Sequence, residues 1–176
     1  GSIPASPTTV ALGAGQFSYP GAVAVDGSDN VFVADTGDQA VKEIVAAGGY
    51  STVNTLGSGF TGPDGIAVDG SGNVYVADGT VIKEILAVDG SIPPTPTINT
   101  LATGFKLPQG LAVDGAGNVY VADVNLGTVS EILAVNGSIP ASPTIITLGS
   151  GFSQPAGVAI QSPSIPNAYR RHRLHG

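Results

Sequence analysis

A single sixteen-residue pattern recurs along the chain and dominates what it can fold into. Pro20 to Asp35 reads PGAVAVDGSDNVFVAD, Pro63 to Asp78 reads PDGIAVDGSGNVYVAD, and Pro108 to Asp123 reads PQGLAVDGAGNVYVAD. A fourth copy opens at Pro155 as PAGVAI and then stops matching. The copies begin 43, 45 and 47 residues apart. A period of this length implies repeated supersecondary units, each burying its apolar face against its neighbours.

The length changes between copies are confined to two places. One lies between the closing Asp (Asp35, Asp78, Asp123) and a following Glu (Glu43, Glu84, Glu131); the other lies between that Glu and the next Phe (Phe60, Phe105, Phe152). Insertions concentrate in loops, so the invariant stretches are packed elements and the variable ones are connections. Within the second copy, Ile66–Asp69 reads as a first strand and Asn73–Asp78 as a second, joined by an Asp-Gly-Ser-Gly-Asn hairpin. Val81–Leu86 reads as a third strand, whose Lys83 and Glu84 predict exposure, and Thr97–Leu101 as a fourth. Strands one and two are apolar on both faces, as in strands covered on both sides. Gly and Pro number 26 and 13, interrupting any helical period. The expected fold class is therefore all-β, with four-stranded units arranged radially as a β-propeller.

The motif Pro-x-Gly-hydrophobic-Ala-Val-Asp followed by Gly-Asn-Val-Tyr-Val-Ala-Asp resembles the NHL repeat. Residues 63–86 and 108–133 carry it best, while Ala22 and Ser28-Asp29-Asn30 depart from it. The resemblance implies blades of a ring that is commonly six-bladed. It also implies a family of binding platforms, receptor-kinase ectodomains, RNA-binding modules and a few lyases or hydrolases, so it does not choose a function. The Gly-Ser-Ile-Pro-Ala-Ser-Pro-Thr inserts resemble those of large bacterial surface or secreted members.

Residues 1–160 read as a partial NHL-type propeller of about three full four-stranded blades plus an incomplete fourth. Thr8–Leu12 is expected as a leftover outer strand and Gly157–Ile160 as a leftover inner one, which makes 14 strands. A closed ring of four or more blades needs at least about 16. The chain thus reads as a piece of a longer array, as half of a two-copy ring that self-associates, or as a ring closed by its own tail. No Met occurs and no charged-then-apolar segment opens the chain, which also reads as a processed or excised piece. Residues 161–176 are an aberrant basic tail holding all three Arg and both His. Its Tyr169-Arg170-Arg171-His172 can be encoded so that the next frame spells Ile-Ala-Asp. The tail is therefore either a divergent natural end or a frameshift remnant.

Charge and composition exclude several classes. Net charge is −7, and the 13 acidic residues all lie between Asp26 and Glu131. That balance argues against nucleic acid as a partner. No apolar run approaches the roughly 18 residues of a membrane helix, so no membrane partner is expected. There is no Cys, which removes disulfides, thiolate metal sites and Cys nucleophiles.

The residues able to carry chemistry have structural readings beside them. Asp26, Asp69 and Asp114, with the Asn four residues on, imitate the start of a calcium loop but lack its closing Glu, and they read as hairpin-forming. Asp35, Asp78 and Asp123 recur in every full copy and read as blade-building. His172 and His175 lie in the tail and the body has none, so no Ser-His-Asp set can be assembled there. No catalytic residue, metal site or cofactor is expected. The weak candidates for ligand binding flank each Pro at the channel mouth, Tyr19, Asp64 and Gln109, with Asn125 in the Val124–Gly127 loop. They vary over a constant frame, which suits either a recognition surface or unconstrained drift. The expected function is a non-catalytic binding or structural module of a bacterial NHL-repeat protein, secreted or at the cell surface, with a protein or glycan ligand. The alternatives are a fragment of an NHL-type lyase or lactonase whose catalytic blades lie elsewhere, and a receptor-kinase sensor ectodomain.

Overall fold

The computed structural model describes residues 8–161. Twelve strands form three four-stranded antiparallel sheets, each in sequential order. Blade one comprises β1 (Pro20–Val25), β2 (Val31–Asp35), β3 (Ala40–Val45) and β4 (Thr52–Thr55). Blade two comprises β5 (Pro63–Val68), β6 (Val74–Asp78), β7 (Val81–Ile85) and β8 (Ile98–Thr103). Blade three comprises β9 (Pro108–Val113), β10 (Val119–Asp123), β11 (Thr128–Ile132) and β12 (Ile145–Ser150). The fold is all-β, with sheets succeeding one another as propeller blades.

The hairpin between the first two strands follows directly from its residues. Asp69 Oδ1 accepts the backbone N–H groups of Ser71 and Asn73, both at 2.9 Å, which closes the turn. Gly72 and Gly117 take a left-handed φ of 86° in their copies, and Asp29 takes 65° at the matching place in blade one. Asp is among the few side chains that tolerate this region, so the departing sequence keeps the same turn.

Alternation along the second strand divides the core into two interfaces. Val74 and Val76 face blade one, where they meet Phe32, Ala34 and Val41. Tyr75 and Ala77 face blade three, where they meet Leu111, Val119 and Val121. Both faces of β6 are thus apolar because both are covered, and all five of its residues are buried. The inner strands touch through glycine. A Cβ added at Gly65 would stand 2.0 Å from the Gln109 carbonyl oxygen, so only a hydrogen side chain allows β5 and β9 to approach this closely.

Three expectations are corrected. The third strands are not exposed: Glu84 and Lys42 are buried, because the lysines of this strand turn onto buried aspartates and Glu84 lies beside Tyr75 and Asn99. Thr8–Leu12 and Gly157–Ile160 form no strands. Each lacks, among the described residues, the neighbouring strand that would complete its ladder. The inner strand β1 is the exception to buried inner strands, with Val23 64% and Val25 55% exposed, because no blade precedes it among the described residues. The tail reading for residues 162–176 lies outside the described residues.

Tyr75 is 1% exposed at the centre of the interface between blades two and three. Tyr75→Ala is expected to cost about 3 kcal/mol or more in denaturant unfolding, as for other buried aromatic truncations. A change near zero would show that this interface does not hold the blades.

Candidate functional site

The end of each blade that carries the turn after the second strand is built on one buried carboxylate. Asp35 and Asp123 are 0% exposed and Asp78 is 2% exposed. Asp78 Oδ1 accepts backbone N–H bonds from Thr61 at 2.7 Å and Gly62 at 2.8 Å, in the loop that enters the same blade. Asp123 accepts those of Lys106 and Leu107, and Asp35 that of Ser18. Lys83 Nζ then donates to Asp78 Oδ2 at 2.6 Å and to the Gly59 carbonyl at 2.7 Å, and it lies 5.2 Å from the centroid of Phe60. Lys42 repeats the arrangement with Asp35, the Gln16 carbonyl and Phe17, and adds an ion pair with Asp38. In blades one and two a Phe–Lys–Asp stack thus ties the Phe before the Pro to the anchor, while in blade three Phe105 keeps its place without a lysine.

Above this anchor, every inner strand contains a β-bulge. Pro63 pairs with Asp78 and Gly65 with Ala77, so Asp64 is an extra residue in the ladder. Gln109 is the extra residue between Pro108 and Gly110, and Gly21 between Pro20 and Ala22. Bulges redirect a side chain at the rim of a sheet and gather beside functional sites. Asp64 and Gln109 are half-buried there, and Asp64 Oδ1 lies 3.1 Å from Thr36 Oγ1, which also donates to the Pro63 carbonyl at 2.7 Å. Tyr19 is 86% exposed and holds a left-handed φ of 56°, costly for an aromatic residue. Asn125 is exposed; its backbone N–H caps Asp123 Oδ1 at 3.1 Å. The four candidates lie at the same end of their blades, on or beside the loops and turns that the aspartates anchor. Among the described residues no hydrogen bond joins one of the four to another.

The carboxylates follow their surroundings. Burial would raise the Asp78 carboxyl, but the hydrogen bonds from Lys83 and from the Gly62 and Thr61 N–H groups outweigh it and hold its pKa below the ordinary value. Burial likewise works against Asp114, and the side chain and N–H of Asn118 with the Ala116 N–H bring it down. Glu84 is pushed up, chiefly by burial. Tyr120 Oη stands 2.9 Å from Glu131 Oε1 and 3.1 Å from Asp114 Oδ2, and its pKa is pushed up to about 12, first by the bond to Glu131. Among the described residues, no three His, Cys, Asp or Glu side chains gather as a metal site, and no helix is long and apolar enough to cross a membrane.

No protein-family model and no curated protein matches the chain. Solved structures do. Virginiamycin B lyase from Staphylococcus aureus superposes with a TM-score of 0.59 at 14% identity, over 81% of this chain and 45% of that one. The nidogen/laminin complex gives 0.58 at 22% identity, over 77% of this chain and 50% of that one. Kuenenia stuttgartiensis hydrazine synthase gives 0.60 at 14%, over 89% and 42%. The chain is built of β-propeller blades. It spans about half the length, or less, of these structures, and identities this low establish the shared fold alone.

The geometry explains two missed features. Reading by pattern places the first strand at Ile66–Asp69, whereas β5 begins at Pro63, because an extra bulged residue leaves no periodic signal. The lysines under the face were legible only as surface charge, although their regular place seven or five residues after the closing Asp was available.

Two predictions follow from these bonds. Asp78 has a folded pKa below its unfolded one, so its stabilising effect is present above about pH 4 and is lost as pH falls through the folded value. Asp78→Asn should lower Tm at pH 7 and flatten the acid limb of the Tm–pH curve; an unchanged limb would clear Asp78 of that role. In the Asp69 loop, Oδ1 receives Ser71 and Asn73 N–H, and Oδ2 receives Asn73 Nδ2 at 2.8 Å and Tyr75 Oη at 3.1 Å. Both oxygens are committed, so millimolar calcium should leave Tm in place. A bound ion at a hundred times its Kd would add about 2.7 kcal/mol and shift Tm by several degrees.

Proposed function

We propose that the chain is a non-catalytic recognition module from an NHL-type propeller protein of the bacterial secreted or surface kind, binding a protein or glycan partner through its turn-bearing face. One observation carries the reading. The bulge recurs at the same place in all three blades, held by the same buried aspartate, yet its residue is Gly21, then Asp64, then Gln109. A constant frame that presents a changing side chain is the design expected of a recognition surface rather than of a reaction centre. Tyr19 adds a large amphipathic ring held out at 86% exposure on a strained backbone, and such rings are favoured at interfaces. Asn125 offers an exposed amide at the corresponding turn of blade three. The body has no His, and of its three lysines Lys42 and Lys83 are spent on structural aspartates while Lys106 alone is exposed, which leaves little for acid–base or nucleophilic chemistry on this face.

The test is a binding screen of the protein against a glycan array and a displayed peptide library, repeated with Tyr19→Ala and Asn125→Ala. Both side chains are exposed, so Tm should hold while binding to the selected ligand falls at least about tenfold for Tyr19→Ala. A ligand that binds both variants as well as the parent would place recognition elsewhere and overturn this reading.

A further inference from the structure

In blades two and three the tyrosine of the second strand stands between two carboxyl groups. Tyr120 Oη lies 2.9 Å from Glu131 Oε1 and 3.1 Å from Asp114 Oδ2. Tyr75 Oη lies 3.1 Å from Asp69 Oδ2 and also hydrogen-bonds Glu84. A phenol has one proton to give. It satisfies one of its two carboxylate neighbours. At the other, two oxygens face each other with no hydrogen between them, unless the carboxyl brings its own.

In blade two the surroundings decide which carboxyl that is. Asp69 already takes the N–H groups of Ser71 and Asn73 and the Asn73 amide, three donors that favour its charge. Glu84 is 6% exposed and has one other donor, the amide of Asn99 opposite it on β8. The charge that bears on it is Asp69, of the same sign. Lys83, beside it on β7, turns to the other face of the sheet and onto Asp78. The blade-three surface against Tyr75 presents Leu111, Val119 and Val121, with Val113 beside them, and none of these carries a charge. Blade one supplies the contrast. There Phe32 stands in the tyrosine's place, and Glu43 is only half-buried and rests on the Asn54 amide at 3.1 Å.

We propose that Asp69, Tyr75 and Glu84 form a proton-operated latch at the interface of blades two and three. With a proton from solvent on Glu84, its O–H donates to Tyr75 Oη and the Tyr75 O–H donates to the Asp69 carboxylate, so the row is paired throughout. When that proton leaves, Glu84 and Asp69 compete for one phenol hydrogen, and one buried contact is left unpaired. The latch closes as pH falls. Burial acts in the same direction and holds the Glu84 pKa above its ordinary value. Its stabilising effect is therefore full below about pH 4.3, the unfolded value, and is lost as pH rises through the folded one. At the opposite end of the same blade Asp78 has the reverse dependence and loses its effect as pH falls. Together the two groups favour a stability maximum on the acid side of neutrality.

Glu43, Glu84 and Glu131 are the only glutamates of the chain, so carbon-13 labelling of glutamate carboxyls gives three resonances, and Glu84→Gln identifies one of them. In the full chain the Glu84 resonance should titrate above the ordinary glutamate range, and the Tyr75 ring carbon that bears the hydroxyl should shift with the same midpoint. Tyr75→Phe keeps the packing and removes the acceptor of the protonated carboxyl, so the Glu84 midpoint should move down. Glu84→Gln places a permanent donor where the proton would be. It should raise Tm at pH 7.5 by a few degrees, with the gain vanishing toward pH 4. Titration of Glu84 at an ordinary glutamate value would overturn the proposal. So would an upward move of its midpoint in Tyr75→Phe, which would mean that the phenol donates to an ionised Glu84. A glutamine variant no more stable than the parent at pH 7.5 would show that no latch opens there and overturn it equally.

Discussion

The buried aspartate at the end of each second strand is the interaction on which the remaining architecture rests. An isolated buried carboxylate is expensive, and it persists here because each has several donors aimed at it. Those donors are not spread over the molecule. They come from the loop that has just left the preceding blade and from the strand or turn that follows. One carboxylate thus fixes where a blade begins, where its second hairpin turns, and how far its inner strand stands from the previous one. The bulge lies between these fixed points: Pro63 is tied to Asp78 and Gly65 is pressed on Gln109, so the extra residue between them must project at the rim. The variable face is a consequence of the invariant anchor.

The second constraint is the close contact between inner strands. Each blade reaches the next through a glycine, which admits the backbone of the following strand. The apolar interfaces outside that contact are then filled by residues of graded size. Near the inner strands Ala34, Ala77 and Ala122 are fully buried, and farther out come Val41 and Ile82, then Phe60 and Phe105. A wedge-shaped gap widening from the axis outward needs this gradation if it is to be packed without voids.

Much of this was legible in the sequence because repetition multiplies weak signals. A single Asp-Gly-Ser-Gly-Asn is a hairpin hint; with Asp-Gly-Ser-Asp-Asn and Asp-Gly-Ala-Gly-Asn at matching offsets it locates the first two strands of every blade. The structural reading of Asp69 and Asp78 was legible for the same reason, since a residue kept in every unit serves the unit. What was not legible depended on contacts between strands. The exposure of Lys83 and Glu84 could not be inferred from their charge, because their partners lie in another strand or at the end of the preceding loop. Thr8–Leu12 carried a strand-like pattern but acquires no ladder, since strand formation is completed by a neighbour rather than by propensity. The four candidate residues were found as positions of change; that two of them sit on bulges could be seen only from the register.

Blade three shows how far the anchor can vary while its function is kept. Ser130 stands where blades one and two have Lys42 and Lys83, so the carboxylate loses its ammonium partner. Asp123 is nevertheless 0% exposed. Its turn compensates: the N–H groups of Asn125 and Leu126 fold back onto Oδ1 at 3.1 and 3.0 Å, joining Lys106 and Leu107, so four backbone donors replace two plus a charge. Backbone N–H groups stabilise an anion without the side-chain entropy or desolvation cost of a second ion. Turn length alone does not dictate which solution is used: blade one has a four-residue turn, Thr36–Gln39, and keeps Lys42 on Asp35, whereas in blade three the four-residue turn Val124–Gly127 brings its own N–H groups onto Asp123. A turn of this length can therefore carry either an ammonium or backbone donors beneath it, and the lysine is dispensable where the turn itself closes on the carboxylate.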